Sequence, residues 1–185
     1  MLRNLLTIVL LGLVLYFGLR VAGRMGRDDY PAGYPLPQLT LKPLVATTKP
    51  VAAADLQGKV TLINYWATWC GPCIEEFPQL ISLTKGYADR DDFQFLSVAT
   101  GFPTASALQE ASVGFLKQRG YDIPLYMDPT DGTRAGLREV PQGVIPLTVL
   151  LDRKGEVAKV VVGNSPAELE EVKLLIATLL QQPAK

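Results

Sequence analysis

Apolar positions recur along this chain in three rhythms, and each predicts a different kind of segment. From Leu5 to Leu19 fifteen residues run without a single charge. As a helix that run is about 22 Å long, and extending it from Asn4 to Ala22 brings it closer to the roughly 30 Å of a bilayer's hydrocarbon core. No polar face interrupts it, so a buried core helix is a further reading. It reads as an uncleaved membrane anchor, with a cleaved signal peptide as the alternative of similar length. Arg20, Arg24 and Arg27 come after the run while only Arg3 precedes it, so the positive-inside rule taken alone leans against export of the chain beyond residue 27.

Residues 28–50 carry Pro31, Pro35, Pro37, Pro43 and Pro50 and show no helical period. Residues 28–35 read as an extended linker and residues 36–185 as one domain. Within it, Gln38–Leu41 alternates like a short edge strand. From residue 59 strand and helix signals alternate. Val60–Trp66 is β-branched and aromatic, a buried strand. Phe77, Leu80, Ile81, Leu83 and Thr84 are spaced for one inward face of a helix running from Cys70 to Tyr87, which Pro78 should bend. Phe93–Ala99 predicts a second strand, Ala105–Arg119 a second helix and Ile123–Met127 a short strand closed by a turn over Asp128–Gly132. Leu147–Leu151 and Glu156–Val162 flank Asp152-Arg153-Lys154-Gly155, an antiparallel hairpin. Ser165, Pro166 and Glu168 make a capping box ahead of a last helix that ends near Leu180. Strand-helix-strand units feeding a hairpin and a helix describe an α/β fold with a mixed central sheet.

Composition narrows the chemistry. The 185 residues hold 18 Lys+Arg, 18 Asp+Glu, no His and two Cys. Zero net charge argues against nucleic acid as a partner. The absence of His removes His-ligated metals, Ser-His-Asp hydrolases and Cys-His proteases together. What remains is chemistry on the two thiols.

Trp69-Cys70-Gly71-Pro72-Cys73 lies where a strand gives way to a helix. There the unsatisfied N–H groups and the helix dipole stabilise a thiolate on Cys70. Two intervening residues let one turn bring the sulfurs within bonding range, with Cys73 the more buried. Thiol exchange needs this pair, one exposed nucleophile and one resolving thiol. A zinc site would need further Cys or His ligands, and the chain has none. Glu76, three residues beyond Cys73, shares its face of the helix. It reads either as an acid that manages the thiol's proton or as a solvated acid in the first turn, favoured by the dipole. Glu75 points elsewhere, as plain surface.

The motif around Cys70 and Cys73, the Glu76-Phe77-Pro78 after it, Ile145-Pro146 before a strand and Arg153-Lys154-Gly155-Glu156 resemble the thioredoxin superfamily, specifically its TlpA/ResA-like membrane-anchored thiol-disulfide reductases. The resemblance covers roughly residues 36–182. It implies a thioredoxin fold with a central helix-strand insertion, supplied here by Thr104–Met127, and an N-terminal strand extension. It also implies a cis bond at Pro146, with Ile145 offering its backbone to an extended substrate beside Trp69, Gly71 and Pro72. Glu76 would handle protons, and Asn64 stands where cytoplasmic thioredoxins carry a buried Asp. The family's catalytic domain faces the periplasm or the outside of a bacterial cytoplasmic membrane. There it reduces disulfides in protein substrates, often in cytochrome c maturation, is itself re-reduced by a membrane electron donor, and needs no cofactor. Leu137–Gly143 departs from the family's usual short approach to the cis-proline. The Gly-Ala-Pro-Glu loop of the cytochrome c biogenesis branch called CcmG or DsbE is absent. An oxidant or isomerase of the same fold, or a non-catalytic metal-binding or scaffold module, is the alternative reading.

Overall fold

The computed structural model describes residues 30–46 and 48–183. The expected anchor or signal over residues 1–27 lies outside them. Among the described residues no helix is long and apolar enough to cross a membrane.

The chain order is β1 (Thr40–Pro43), β2 (Val51–Ala52), a short 3-10 turn (Ala53–Leu56), β3 (Val60–Trp66), α1 (Gly71–Lys85), β4 (Phe93–Ala99), α2 (Ala105–Arg119), β5 (Leu125–Met127), α3 (Gly132–Ala135), β6 (Leu147–Leu151), β7 (Val157–Val162) and α4 (Pro166–Gln181). Seven strands form one mixed sheet in the order β2-β1-β5-β4-β3-β6-β7. β3, β4 and β5 run parallel, each joined to the next by a crossover helix, while β6 pairs antiparallel with β3 and β7 with β6. This is the thioredoxin fold, with α2 and β5 as the central insertion and β1 as the N-terminal extension.

β3 is buried along its whole length because it lies between β4 and β6 and is covered on both faces. Alternation divides its side chains. Leu62 and Trp66 join the cores formed with α1, α2 and α4, whereas Ile63 and Tyr65 join a second core with Leu36, Leu39, Leu137 and Val140. Asn64, two residues from each of Leu62 and Trp66, therefore faces α1. A one-residue slip of β3 would turn its aromatic and polar residues to the wrong faces.

Several local expectations are corrected. β1 begins at Thr40, not Gln38, and is not an edge strand: β2 pairs with it at Leu41↔Val51, a strand too short to leave a pattern. β5 starts at Leu125 because Pro124 offers no N–H to a ladder. The turn after it ends in the one-turn helix α3, whose first amides Thr133 and Arg134 bond to Asp128 Oδ2. α1 holds Pro78 in its interior and spans Gly71–Lys85, not Cys70 to Tyr87. At the head of α4 only half of the capping box forms. Ser165 Oγ accepts from the Glu168 amide at 3.4 Å, while the Glu168 carboxylate lies 3.7 Å from Lys159 Nζ.

The linker expected over 28–35 is also shorter than its proline content suggests. Tyr34 is buried, its carbonyl accepts from the Val157 amide at 2.8 Å, and the Gly33 amide donates to the Val157 carbonyl at 2.7 Å. The Tyr34 hydroxyl then accepts from the Arg138 amide at 2.9 Å. The chain thus joins the domain by pairing with the start of β7, an attachment made by backbone groups that no side-chain pattern advertises.

Candidate active site

The site grows from the end of β3. Cys70 adopts an extended conformation (φ −84°, ψ 100°) and caps α1, its sulfur accepting from the Cys73 amide at 3.2 Å. Pro72 occupies the first helical turn, where its missing N–H costs nothing. Gly71 and Pro72 face solvent. Cys70 and Cys73 are joined in a disulfide with Cα atoms 5.2 Å apart. Cys70 is 6% exposed and Cys73 fully buried, so any exchange partner must attack from the Cys70 side. Around both sulfurs the cluster is apolar, with Trp66, Phe77, Ile81 and Ala99 in it.

A second segment closes over this junction. The Ile145–Pro146 bond is cis. Ile145 is half-buried and packs against the cluster that contains both cysteines, immediately before β6. The approach to it is irregular: Glu139 and Gly143 both have positive φ, and Leu137 and Val140 insert into the core. Trp69 is 62% exposed, and its indole N–H points to the carbonyl of Gly101 at 3.4 Å.

Glu76 resolves the choice left open by the sequence. It is only 2% exposed, so it is not a solvated first-turn acid. Asn64 Nδ2 donates to Glu76 Oε1 at 2.7 Å and also to Thr148 Oγ1 at 3.0 Å, tying α1, β3 and β6 together. Burial pushes the Glu76 carboxyl up to about 7, and the hydrogen bond from Asn64 opposes part of that rise. Its second oxygen, Oε2, is buried with no hydrogen-bond partner among the described residues, a favourable seat for a proton and a costly one for a charge. Glu75 is exposed and accepts from Asn164 at 3.4 Å.

All eight residues singled out in the sequence therefore lie at this junction or at the cis-proline turn: Trp69, Cys70, Gly71, Pro72, Cys73, Glu76, Ile145 and Pro146. Thr148 and Gly101 were not anticipated. Thr148 could have been found from β3–β6 register, since it stands directly opposite Asn64. Gly101 carried one faint signal, a glycine just past the end of a strand. Among the described residues no group of three Cys, Asp or Glu side chains is placed to hold a metal ion.

A thioredoxin fold with a Cys-Gly-Pro-Cys disulfide at a helix N-terminus and a cis-proline beside it defines a thiol-disulfide oxidoreductase. The redoxin family profile matches residues 31–176, and the chain belongs to that family. It is 30% identical over 139 residues to the thiol-disulfide oxidoreductase ResA of Bacillus subtilis, covering 75% of this chain and 72% of that protein. Over 134 residues it is 34% identical to the thiol:disulfide interchange protein HelX of Rhodobacter capsulatus, covering 71% of this chain and 68% of the other. A crystal structure of a thiol:disulfide interchange protein of the thioredoxin family from Chlorobium tepidum superimposes with a TM-score of 0.63 at 26% identity, over 83% of this chain and 99% of that one. These likenesses support the TlpA/ResA-like placement.

Proposed function

We propose that the protein is a membrane-tethered reductase of protein disulfides working outside the cytoplasm. The observation that carries this direction is the apolar cluster around the sulfurs. The Cys70 sulfur takes a hydrogen bond from one backbone amide, and the buried acid Glu76 lies one turn beyond Cys73 on its helix face. Apolar surroundings and a nearby carboxylate both disfavour the Cys73 thiolate. The reduced form is then less stabilised than in a strong oxidant, and it gives up its electrons more readily.

In the proposed cycle the Cys70 thiolate attacks one sulfur of a substrate disulfide and releases the first substrate thiolate. Ionised Glu76 takes the proton of Cys73, and the Cys73 thiolate attacks the Cys70 sulfur. The second substrate thiolate leaves, the substrate has gained two electrons, and the Cys70–Cys73 disulfide remains. Ile145 presents its backbone ahead of Pro146 to an extended substrate segment, flanked by Trp69 and by the turn at Gly71 and Pro72. A membrane donor with a dithiol of its own would restore the reduced state. Disulfides of apocytochromes c are one substrate class consistent with this family placement.

The midpoint potential of the Cys70–Cys73 pair, titrated in thiol redox buffers, tests the direction. A value at or below about −230 mV supports a reductant, and one above about −180 mV makes the protein an oxidant or isomerase. Reporter fusions at Tyr34 test the topology: activity of a cytoplasmic reporter alone overturns the extracytoplasmic assignment.

A further inference from the structure

Trp69 lies against the backbone of a glycine in the left-handed region. Gly101 follows β4 with φ +88°, a left-handed conformation that residues with a Cβ rarely adopt. A Cβ there would sit 2.6 Å from Trp69 Cζ2 and 2.9 Å from its Nε1. The same indole nitrogen points to the Gly101 carbonyl at 3.4 Å. The backbone conformation favours glycine at this position, remote in sequence from the dithiol, and a Cβ there would displace the exposed Trp69 ring from the place it occupies. The next residue, Phe102, packs half-buried against the cluster holding Cys70 and Cys73, as Ile145 does. Phe102 and Ile145 pack against the cluster that contains the dithiol and Trp69 directly precedes Cys70, and all three side chains are apolar.

We propose that Gly101 is a positioning residue for substrate recognition. Its bare Cα seats the Trp69 indole as a fixed shelf for an apolar residue next to the partner's cysteine. This inference rests on the thiol-exchange reading above and specifies what that site selects. The shelf is ordered before the partner arrives, so binding does not have to immobilise a freely rotating indole. A Cβ at residue 101 displaces the ring, and the loss falls on binding rather than on the sulfur chemistry.

The test is a double-mutant cycle of Gly101→Ala and Trp69→Ala in the full-length protein. The probes are two synthetic peptides containing an internal disulfide, one with Leu and one with Lys next to the attacked cysteine. With Trp69 present, Gly101→Ala should raise KM for the Leu peptide at least five-fold while kcat falls less than two-fold, and it should lessen the preference for Leu over Lys. In the Trp69→Ala background the same change should leave KM for the Leu peptide within two-fold. Fluorescence should show Trp69 emission altered by Gly101→Ala. An equal KM rise in both backgrounds means that the loop backbone acts without the indole, and overturns the proposal; so does an unaltered KM. If Gly101→Ala fails to fold, recovery of a folded state in the double variant supports the seat. Where neither folds, because φ +88° alone disfavours a Cβ, the fluorescence anisotropy decay of Trp69 in the unsubstituted protein decides, an immobile indole supporting the seat and a freely rotating one refuting it. Failure of the unsubstituted protein to reduce either peptide would instead sink the thiol-exchange reading itself.

Discussion

The amide of Asn64 holds the carboxyl group of Glu76 by a 2.7 Å hydrogen bond within the buried interface between β3 and α1. One nitrogen serves Glu76 and Thr148 together, so the acid is fixed to the sheet and not merely buried beside it. A carboxyl group whose charge is disfavoured by burial but is still offered one donor is poised to change protonation near neutral pH.

Glu76 makes stability depend on pH with a definite sign. Its carboxyl is raised from 4.5 to about 7 in the folded protein. Between those values the native state holds the extra proton, so stability falls as pH rises through that window. The contribution is complete below 4.5 and lost above about 7. Two and a half pH units correspond to about 3 kcal/mol as an upper figure. Glu76→Gln should flatten the slope of urea midpoints between pH 5 and 7; an unaltered slope would assign the dependence to another group.

Asp92 acts at the acid end. Arg90 and Arg153 both hydrogen-bond its carboxylate, from 2.8 and 2.6 Å, and hold it well below the usual range. Its contribution is present above the ordinary Asp value and is lost as pH falls through the lowered one. Asp92→Asn should therefore reduce the stability lost on acidification below about pH 4. Acid-denaturation curves of the two proteins would show this directly.

Arg153 joins three parts of the fold through the same guanidinium. It donates to the carbonyl of Gly58 at 2.8 Å and to those of Leu179 and Leu180 at 3.2 and 3.0 Å, closing the end of α4. Arg153→Met keeps the aliphatic stem and strands those carbonyls together with Asp92. A loss of about 2–3 kcal/mol in urea unfolding is expected. A loss under about 0.5 kcal/mol would mean that solvent replaces these bonds without cost.

Cys73→Ser separates the roles of the two sulfurs. Without a resolving thiol, the mixed disulfide on Cys70 should accumulate and appear by mass spectrometry at the sum of protein and substrate masses. Cys70→Ser should give no such adduct, because Cys73 is fully buried. Adducts on Cys73 would reverse the assignment of nucleophile.

Tyr34→Phe tests whether the incoming chain supports the loop before the cis-proline. The change removes the bond from the Arg138 amide, while the Arg138 guanidinium, 4.5 Å from the ring centroid, keeps its aromatic face. The expected cost is about 1 kcal/mol in urea unfolding. Faster hydrogen exchange at the Arg138 amide should accompany it.

How much of this could be read beforehand depends on the range of the forces involved. β3, β4, α2 and β6 begin and end where periodicity placed them, because their hydrophobic spacing and flanking turns are local. The dithiol was legible for a related reason. Its position at a strand-helix junction, its two-residue spacing and the proline in the first turn are all contiguous in sequence. β2 and the attachment of Gly33 and Tyr34 to β7 left no such trace, since two-residue pairings are made by backbone atoms that every residue carries.

Sequence alone determined the order of the longer strands and helices, the choice of thiol chemistry and, by removing His, the absence of His-ligated and His-activated alternatives. All three rest on residue types and short spacings. Only the tertiary structure decided that Glu76 is buried and held by Asn64, that Thr148 shares that amide, and that Gly101 receives the Trp69 ring. Each of those depends on strand register or on segments dozens of residues apart meeting at one end of the sheet. The side chain of Glu76 is chemically the same in water and in the core, and the packing of α1 on β3 gives it a pKa near neutrality.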